Sequence, residues 1–334
     1  DIRKIYRKTI KEQKSKFKEE LLKKLAAFKE KDPQKYWKLL ESLKLFCGTK
    51  SNRGENPIPA DEWLEHFKTL FTDTNNQSKF INMEQQIQSK INSNIDLDYE
   101  FTKKEIFDAI NQLKNNKSPG PDSITNEMLK SAKFFLVPAI IKLFNLVLTQ
   151  QIIPAEWKVS IVTPIYKADD PNNPGNYRGI AVNSCLGKLF SLVMNKRLSN
   201  KIEGKNLFTE YQSGFRSDYR TTDNIYIMTT LIRAYRAQKK KIFACFIDLK
   251  KAFDTVSRPA LFFKLANLGI GGKFFNTVKN MYTNDKIAVK IRNKMTNDIN
   301  CSMGVRQGDG LSPTLFNIYV NDIPQLFSDP TCDP

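Results

Sequence analysis

The chain is poor in the residues that build many catalytic and metal-binding sites. His66 is the only histidine among 334 residues, and the five cysteines form no Cys-x-x-Cys pair. These absences argue against structural zinc and against acid–base catalysis by histidine. Scattered cysteines, odd in number, also argue against a disulfide framework and for a reducing compartment. Any catalysis must therefore rest on carboxylates, lysines, arginines or a metal ion held by oxygen ligands.

Long apolar runs and a leader sequence are also missing. The longest apolar run, Phe134 to Leu148, is interrupted by Pro138, Lys142 and Asn145. It is shorter than the ~20 residues that a membrane span needs. The first residues lack the apolar stretch of a signal peptide and an initiator Met. We therefore expect an intracellular protein of nucleus and cytoplasm without a membrane partner, present as a fragment or a processed chain.

Positive charge is abundant along the whole chain. Lysine and arginine number 53 against 35 aspartates and glutamates, which gives a formal net charge of +18. Residues 1–50 carry 16 basic and 7 acidic side chains, so half of the excess lies there. Such a balance favours polyanionic partners such as nucleic acids. A solvated lysine-rich surface explains the same count, so charge alone leaves both readings open.

The order of helical and strand patterns predicts an α+β protein with two parts. Residues 1–31 and 32–46 have helical patterns, 61–71 form a short amphipathic helix, and 72–98 are rich in Asn, Gln and Ser, as linkers are. We group residues 1–101 as a basic helical extension with its linker. Thr102-x-x-Glu105 is a capping box, so a second domain over 102–334 is predicted to begin there.

The second domain has more helical than strand patterns. Val159 to Tyr166 is predicted to be a strand, and Ile242 to Ile247 a strand buried on both faces. A hairpin is predicted from 286–292 and 297–303. The predicted helices are 123–131, 134–151, 184–201, 223–239, 258–268, 272–283 and 312–327.

A carboxylate follows the second predicted strand. Asp248 comes directly after the apolar run IFACFI. Phosphoryl transfer uses Mg²⁺, which prefers carboxylate oxygens, and two such ions can activate a hydroxyl and stabilise a leaving pyrophosphate. Asp248 is suitably placed for that chemistry. Taken alone, an aspartate at a strand end is more often a cap of the following turn.

Two further patterns carry groups that suit phosphate binding. Gly304 to Pro313 (GVRQGDGLSP) has three glycines in seven residues, which let a backbone approach a ligand closely. Lys167 and Arg178 flank a short predicted hairpin, from which both could reach phosphates. An ordinary hairpin-to-helix connection and ordinary surface cations would look the same.

Together and in this order, the patterns resemble reverse transcriptases of non-LTR (LINE-type) retrotransposons of the jockey and chicken-repeat groups. The matching pieces are KSPGPD at 117–122, WKVSIVTPIYKADDPNNPGNYRGI at 157–180, LGKLFSLVMNKRL at 186–198, QSGFR at 212–216 with RTTD at 220–223, FIDLKKAFDTV at 246–256 and VRQGDGLSPTLFNIYV at 305–320. The resemblance covers residues 102–327. It implies the fingers and part of the palm of a right-hand polymerase.

The resemblance assigns roles to particular residues. Asp248 would be a catalytic ligand of Mg²⁺ or Mn²⁺, and Leu249 would offer its backbone carbonyl to the same ion. Lys167 and Arg178 would hold the incoming dNTP, Phe253 would exclude a 2′-hydroxyl, and Gln307 and Gly308 would pack against the nucleotide. Arg216 and Arg220 would touch the template. An RNA template and a DNA primer would be the partners; the resemblance leaves the oligomeric state open.

This sequence departs from the family pattern at two places. Gly179 stands where the family usually has proline, which is expected to loosen the loop after Arg178. The aromatic-Ala-Asp-Asp motif, which would supply two further carboxylates, is not found, and no Asp-Asp pair follows Asp169-Asp170. We therefore expect a chain truncated before that motif and inactive as a polymerase by itself.

Two alternatives remain open at this stage. An RNA-directed RNA polymerase is disfavoured by Phe253, whose ring would exclude ribonucleotides. A catalytically silent nucleic-acid-binding remnant of a decayed element is the second alternative. Sequence beyond residue 334 would distinguish that remnant from an enzyme.

Overall fold

The computed structural model describes residues 57–72, 77–91, 95–291 and 294–327, together with single residues between 9 and 23. The chain divides into two compact units, Asp1–Pro57 and Ile58–Pro334, which are described separately. In the first unit the described residues between 9 and 23 are helical, and the rest of the helix predicted over 1–31 lies outside the described residues. The predicted helix over 32–46 lies outside the described residues.

The second unit combines helices with a small mixed sheet, so its class is α+β. Its strands are β1 (Val159–Tyr166), β2 (Tyr177–Val182), β3 (Lys286–Ile291), β4 (Lys294–Met295) and β5 (Ile299–Asn300). β1 pairs antiparallel with β2 and parallel with β3, and β3 pairs antiparallel with β4 and β5. The sheet therefore joins the β1–β2 hairpin to the paired strands β3, β4 and β5.

The helices of this unit precede and follow those strands. They are α1 (Ala60–Phe71), α2 (Gln77–Ile91), α3 (Lys103–Gln112), α4 (Asn126–Ser131), α5 (Lys133–Gln150), α6 (Cys185–Gly204), α7 (Thr221–Ala237), α8 (Arg258–Asn267), α9 (Gly272–Met281) and α10 (Ser312–Val320). Short 3₁₀ turns cover Ala155–Lys158, Pro174–Asn176 and Ile323–Phe327. The predicted capping box is present: the Thr102 hydroxyl accepts from the Glu105 N–H, and Glu105 accepts from the Thr102 N–H.

Two apolar cores hold the unit together. The larger one is helical and includes the fully buried rings of Phe144, Phe190 and Phe274. The smaller one lies between α1 and the sheet, where Trp63 and Phe67 meet Val162 and neighbouring apolar residues of β3 and β5. Because burial of each large apolar side chain contributes about 1.5–3 kcal/mol, this second core fixes α1 firmly on the sheet.

The predicted linker over 72–98 is wrong in its middle part. Residues 77–91 form helix α2, which buries Ile87 and Ile91 one turn apart in the larger core. The polar composition concealed a narrow apolar stripe that packs against α8. Helices α1 and α2 both belong to the second compact unit, which begins at Ile58, ahead of the domain start we predicted at Thr102.

The predicted buried strand over 242–247 is also wrong. The segment belongs to no strand, and Phe243 and Phe246 are 89% and 82% exposed. A strand is buried on both faces only when neighbours pair with it and cover it. The sheet formed by the described residues does not include this segment.

One described helix, α5, is long and apolar enough to cross a membrane by length and composition. Its buried residues, among them Val137, Phe144 and Val147, pack into the larger core. A core helix passes the same test of length and composition, so this finding is weak evidence for a span.

Candidate active site

A cavity of about 840 Å³ opens where three distant chain segments meet. It is lined by the β1–β2 hairpin, the loop over 248–254 and the loop over 303–313, and α1 contributes a further wall. Seven of the nine predicted site residues line it: Lys167, Arg178, Asp248, Leu249, Phe253, Gln307 and Gly308. Lys167 and Asp248, about 80 positions apart in the sequence, therefore share one site with Gln307, which lies about 60 positions after Asp248.

The β1–β2 hairpin places Lys167 and Arg178 next to each other. Arg178 lies opposite Ile165, and the Lys167 N–H donates to the Asn176 carbonyl at 3.0 Å, which continues the pairing by one step. Arg178 and its cross-strand partner Ile165 share a face of the sheet, and Lys167, two residues after Ile165, lies on that same face. Both side chains are exposed and carry no hydrogen bond or ion pair to another described residue. They are available to an anion in the cavity.

The glycines of the 303–313 loop are required by its geometry. Gly304 and Gly308 have φ angles of +80° and +83°, which glycine adopts at little cost. A Cβ at Gly304 would lie 2.7 Å from the Asp254 carbonyl oxygen, and one at Gly308 would lie 3.0 Å from that of Ala181. The loop is therefore held in close backbone contact with the 248–254 loop on one side and with β2 on the other.

Gln307 is oriented by a buried carboxylate. Its Nε2 donates to Asp254 Oδ1 at 2.6 Å, and Asp254 is only 8% exposed. The amide nitrogen is thereby engaged, which leaves the amide oxygen for the cavity. This contact gives Asp254 a structural role: it fixes the side chain that faces the cavity.

Asp254 gives a pH prediction. Burial raises its pKa, and the opposing effects of Gln307 and Lys251 do not cancel that rise. A raised carboxyl pKa favours the folded state at low pH and opposes folding once the pH exceeds the folded value. We expect Asp254→Asn, which keeps an acceptor for Gln307, to gain stability relative to the wild type as the pH rises from 4 to 7. Urea unfolding at several pH values measures this difference, and a difference that shrinks with rising pH would contradict it.

Phe253 is held in place by two other rings. It stacks on Phe316 of α10 at a centroid distance of 4.8 Å and an interplanar angle of 15°, and it meets Phe215 edge-on at 5.9 Å. The backbone is fixed as well, because the Val305 N–H donates to the Phe253 carbonyl at 2.8 Å. A ring fixed on both sides can exclude a ligand group by shape without moving aside.

Asp248 lies exposed at the cavity, without a hydrogen-bond or ion-pair partner among the described residues. Its carboxylate and the Leu249 carbonyl are oxygen donors of the kind that Mg²⁺ prefers. The other acids of the cavity wall are engaged: Asp254 with Gln307, Asp285 with Arg258, and Asp309 with the Leu311 N–H. No group of three or more metal-ligating side chains occurs among the residues described. The donors present there do not by themselves fit a divalent ion.

The family model for reverse transcriptases (RNA-dependent DNA polymerases) matches residues 165–331, half of the chain. The chain belongs to the reverse transcriptase family. All seven predicted residues of the cavity lie inside the matched range. Membership of this family implies dependence on a divalent metal in general, although the described donors do not complete a site.

The curated relatives come from retrotransposons. The chain is 26% identical over 294 residues to the "Probable RNA-directed DNA polymerase from transposon X-element" of Drosophila melanogaster, a match over 86% of this chain and 31% of that protein. It is 29% identical over 222 residues to the corresponding polymerase from transposon BS of the same fly, a match over 66% of this chain and 24% of that protein. A polyprotein of retrotransposable element R2 of Popillia japonica is 29% identical, in a match over 66% of this chain and 30% of that protein. The chain thus spans about a quarter to a third of these relatives, and it is identified as a LINE-type reverse transcriptase.

The two predicted template residues of this reverse transcriptase do not line the cavity. Arg216 donates to both carboxylate oxygens of Glu203 and to the carbonyls of Thr209 and Gln212, so its guanidinium is used within the fold. Arg220 is exposed at the N-terminus of α7. Contact of either residue with a template stays a prediction.

Sequence reasoning missed one wall of the cavity. His66, Phe67 and Phe71 of α1 line it, as does Lys188 near the start of α6. Burial, and after it the charge of Lys251, lower the pKa of His66, so this imidazole is neutral at pH 7. The amphipathic pattern of α1 was visible in the sequence, but nothing in that pattern showed which sheet it would cover.

Proposed function

We propose that this chain is the fingers and part of the palm of an RNA-directed DNA polymerase that copies an RNA template from a DNA primer with dNTPs. The observation that carries the proposal is the convergence of Lys167, Arg178, Asp248, Phe253 and Gln307 on one cavity from three separate segments. Each segment alone has an ordinary structural explanation. From their meeting at one site we infer a shared ligand.

The charge of the cavity suits a triphosphate. Seven lysines and arginines line it against four aspartates. Two of those cations, Arg258 and Arg306, face the buried Asp285, and burial raises the pKa of Asp254 and of Asp309. Because Lys167, Arg178 and Lys250 are exposed, a polyphosphate can be held there while its remaining groups reach the inner wall.

The residues of the chain then have separate tasks. Lys167 supplies a point charge and Arg178 a two-pronged donor for phosphate oxygens. The fixed ring of Phe253 blocks the volume of a 2′-hydroxyl. Gln307, held by Asp254, packs against the nucleotide, and Asp248 and the Leu249 carbonyl would be oxygen ligands of a divalent ion. That ion, Mg²⁺ or Mn²⁺, would neutralise phosphate charge, and it would need ligands beyond those that the described residues supply.

The test is nucleotide binding by residues 1–334. In fluorescence anisotropy with a labelled dATP and an RNA–DNA template–primer, we expect saturable binding that unlabelled dATP displaces. Lys167→Ala should weaken that binding about tenfold, because a hydrogen bond to a charged group is worth roughly 1.5–3 kcal/mol and the site is partly screened by solvent. Lys142→Ala is the matched control: Lys142 is an exposed cation on α5 that does not line the cavity.

The same assay separates the alternatives. Phe253→Ala should bring the affinity for ATP close to that for dATP, whereas an RNA-directed RNA polymerase would bind ATP at least as tightly as dATP before the change. A silent nucleic-acid-binding remnant would bind the template–primer without displaceable dATP. An equal loss in Lys142→Ala and Lys167→Ala would overturn the proposed site.

A further inference from the structure

We propose that helix α1, which precedes the residues matched by the family model, is a positioning element of the nucleotide site: through Phe67 and Gly179 it sets the position of Arg178. This inference rests on the proposed function, since Arg178 is the phosphate-binding group in it. Three contacts carry it: one to the strand that holds Arg178, one to the neighbouring tyrosine, and one to the glycine loop.

The first contact is between Phe67 and Gly179. A Cβ at Gly179 would lie 2.9 Å from Val162 Cγ1 and 3.1 Å from Phe67 Cε1, so the ring of α1 packs directly against the backbone of β2. Phe67 is 4% exposed and Trp63 and Phe71 stack on its two sides. The ring therefore cannot move aside easily to accept a larger residue. This close packing accounts for glycine at a position where the family usually has proline.

The second contact is between Trp63 and Tyr177. Their rings meet edge-on at a centroid distance of 4.9 Å. Successive residues of a strand face opposite sides, so Tyr177 and Gly179 face α1 while Arg178, between them, faces away. Both neighbours of Arg178 are thus held by one helix, which fixes the backbone from which the guanidinium extends.

The third contact ties α1 to the other side of the cavity. The Phe71 carbonyl accepts from the Ser302 N–H at 2.9 Å and from the Met303 N–H at 3.3 Å. These residues precede Gly304, the first glycine of the loop that carries Gln307. One rigid helix of 12 residues thereby sets the distance between the β1–β2 hairpin and the glycine loop.

The experiment is a double-mutant cycle on dATP affinity with residues 1–334. Gly179→Ala should weaken dATP binding about fivefold, because β2 must shift by a few tenths of an ångström and phosphate contacts are sensitive to such shifts. In the Arg178→Ala background the same change should have no effect, since the group it displaces is gone. A loss of equal size in both backgrounds would overturn the proposal.

A second pair of variants tests the route through α1. Phe67→Leu removes the ring atoms 3.1 and 3.2 Å from the Cβ position of Gly179 and leaves Val162 Cγ1 at 2.9 Å, so part of the affinity lost in Gly179→Ala should be restored when both changes are combined. Gly204→Ala is the matched control, because a Cβ there meets no atom within 4 Å. All affinities are measured well below each melting temperature, with folding checked by circular dichroism.

The outcomes separate the two proposals. If the wild type binds no displaceable dATP, the proposed function fails. If it binds dATP but the loss from Gly179→Ala persists at full size in Phe67→Leu, only the role of α1 fails. If Gly179→Ala does not fold, Phe67→Leu is the test of the proposal. As a single change it must weaken dATP binding, and in the Arg178→Ala background it must have no effect.

Discussion

Replacement of Asp285 by alanine is expected to lower the free energy of unfolding by about 3–5 kcal/mol, because removal of one partner of a buried ion pair leaves an uncompensated charge. Asp285 is 3% exposed. Its two oxygens accept from Arg258 Nη1 at 2.5 Å and Nη2 at 3.0 Å, and the Arg306 Nε lies 3.7 Å away. One carboxylate thus faces two buried guanidinium groups.

The control is an ion pair of similar type at the surface. Lys286 and Asp298 approach to 3.6 Å with side chains that are 43% and 49% exposed. Exposed pairs contribute roughly 0–1 kcal/mol, so Asp298→Ala should change the unfolding midpoint in urea little. Equal losses in Asp285→Ala and Asp298→Ala would show that the buried cluster does not carry the stability assigned to it.

The same cluster supports the floor of the cavity. Arg258 donates from Nε to the Gly304 carbonyl at 3.0 Å and from Nη1 to the carbonyls of Tyr282 and Cys301. Arg306 donates to the carbonyls of Trp157 and Met281. Loss of Asp285 therefore frees both ends of the segment 304–306, which lies just before Gln307. We expect the stability loss in Asp285→Ala to be accompanied by a loss of dATP affinity.

Elements with local signals were predictable from the sequence. Strand β1 has the predicted bounds, because Val159 to Tyr166 is a run of β-forming residues ended by a turn. Helix α3 starts at the predicted capping box, since Thr102 and Glu105 satisfy each other's backbone groups within four residues. Seven of the nine predicted site residues line one cavity, because the resemblance identified three short motifs in their order along the chain; the roles of these residues stay predictions.

Features that depend on distant partners were not predictable. The run over 242–247 is as apolar as a buried strand, but burial depends on neighbours that the run does not specify. Phe67 could be recognised as the apolar face of a helix, whereas its contact with Gly179 joins positions more than 100 residues apart. The same holds for the pairing of Arg258 with Asp285. Sequence patterns indicate that a side chain is buried, but only the fold determines which residues it packs against.

The second large effect is expected at Arg197, a buried cation in the helical core. Its guanidinium lies 3.8 Å from the ring centroid of Tyr99 and 3.9 Å from that of Phe101, and the residue is 2% exposed. It donates to both Glu105 oxygens at 2.7 and 3.0 Å. It also donates to the backbone carbonyls of Leu97, Tyr99 and Glu100. One side chain thereby holds the segment before α3 onto α6.

Arg197→Ala should lower the free energy of unfolding by about 3–5 kcal/mol, since it leaves three carbonyls and a carboxylate without their donor. Arg197→Lys should recover only part of this loss, because an ammonium cannot bond bidentately or stack as a plane. The control is Lys205→Ala, which removes one of the partners of Asp96, in a pair whose side chains are 55% and 52% exposed. Urea unfolding should show a loss below about 1 kcal/mol there.

The pH dependence of the Arg197→Ala loss tests the ion pair separately from packing. Burial acts to raise the pKa of Glu105, but the bonds from Arg197 and Thr102 outweigh it, and the pKa is lowered from its ordinary value of 4.5. A lowered carboxyl pKa stabilises the fold above the unfolded value and ceases to do so as the pH falls through the folded value. The difference between wild type and Arg197→Ala should therefore shrink as the pH is lowered from 6 to 3. A difference that stays constant over that range would mean that stacking on Tyr99 and Phe101 and the carbonyl bonds, and not the charge of Glu105, account for the contribution of Arg197.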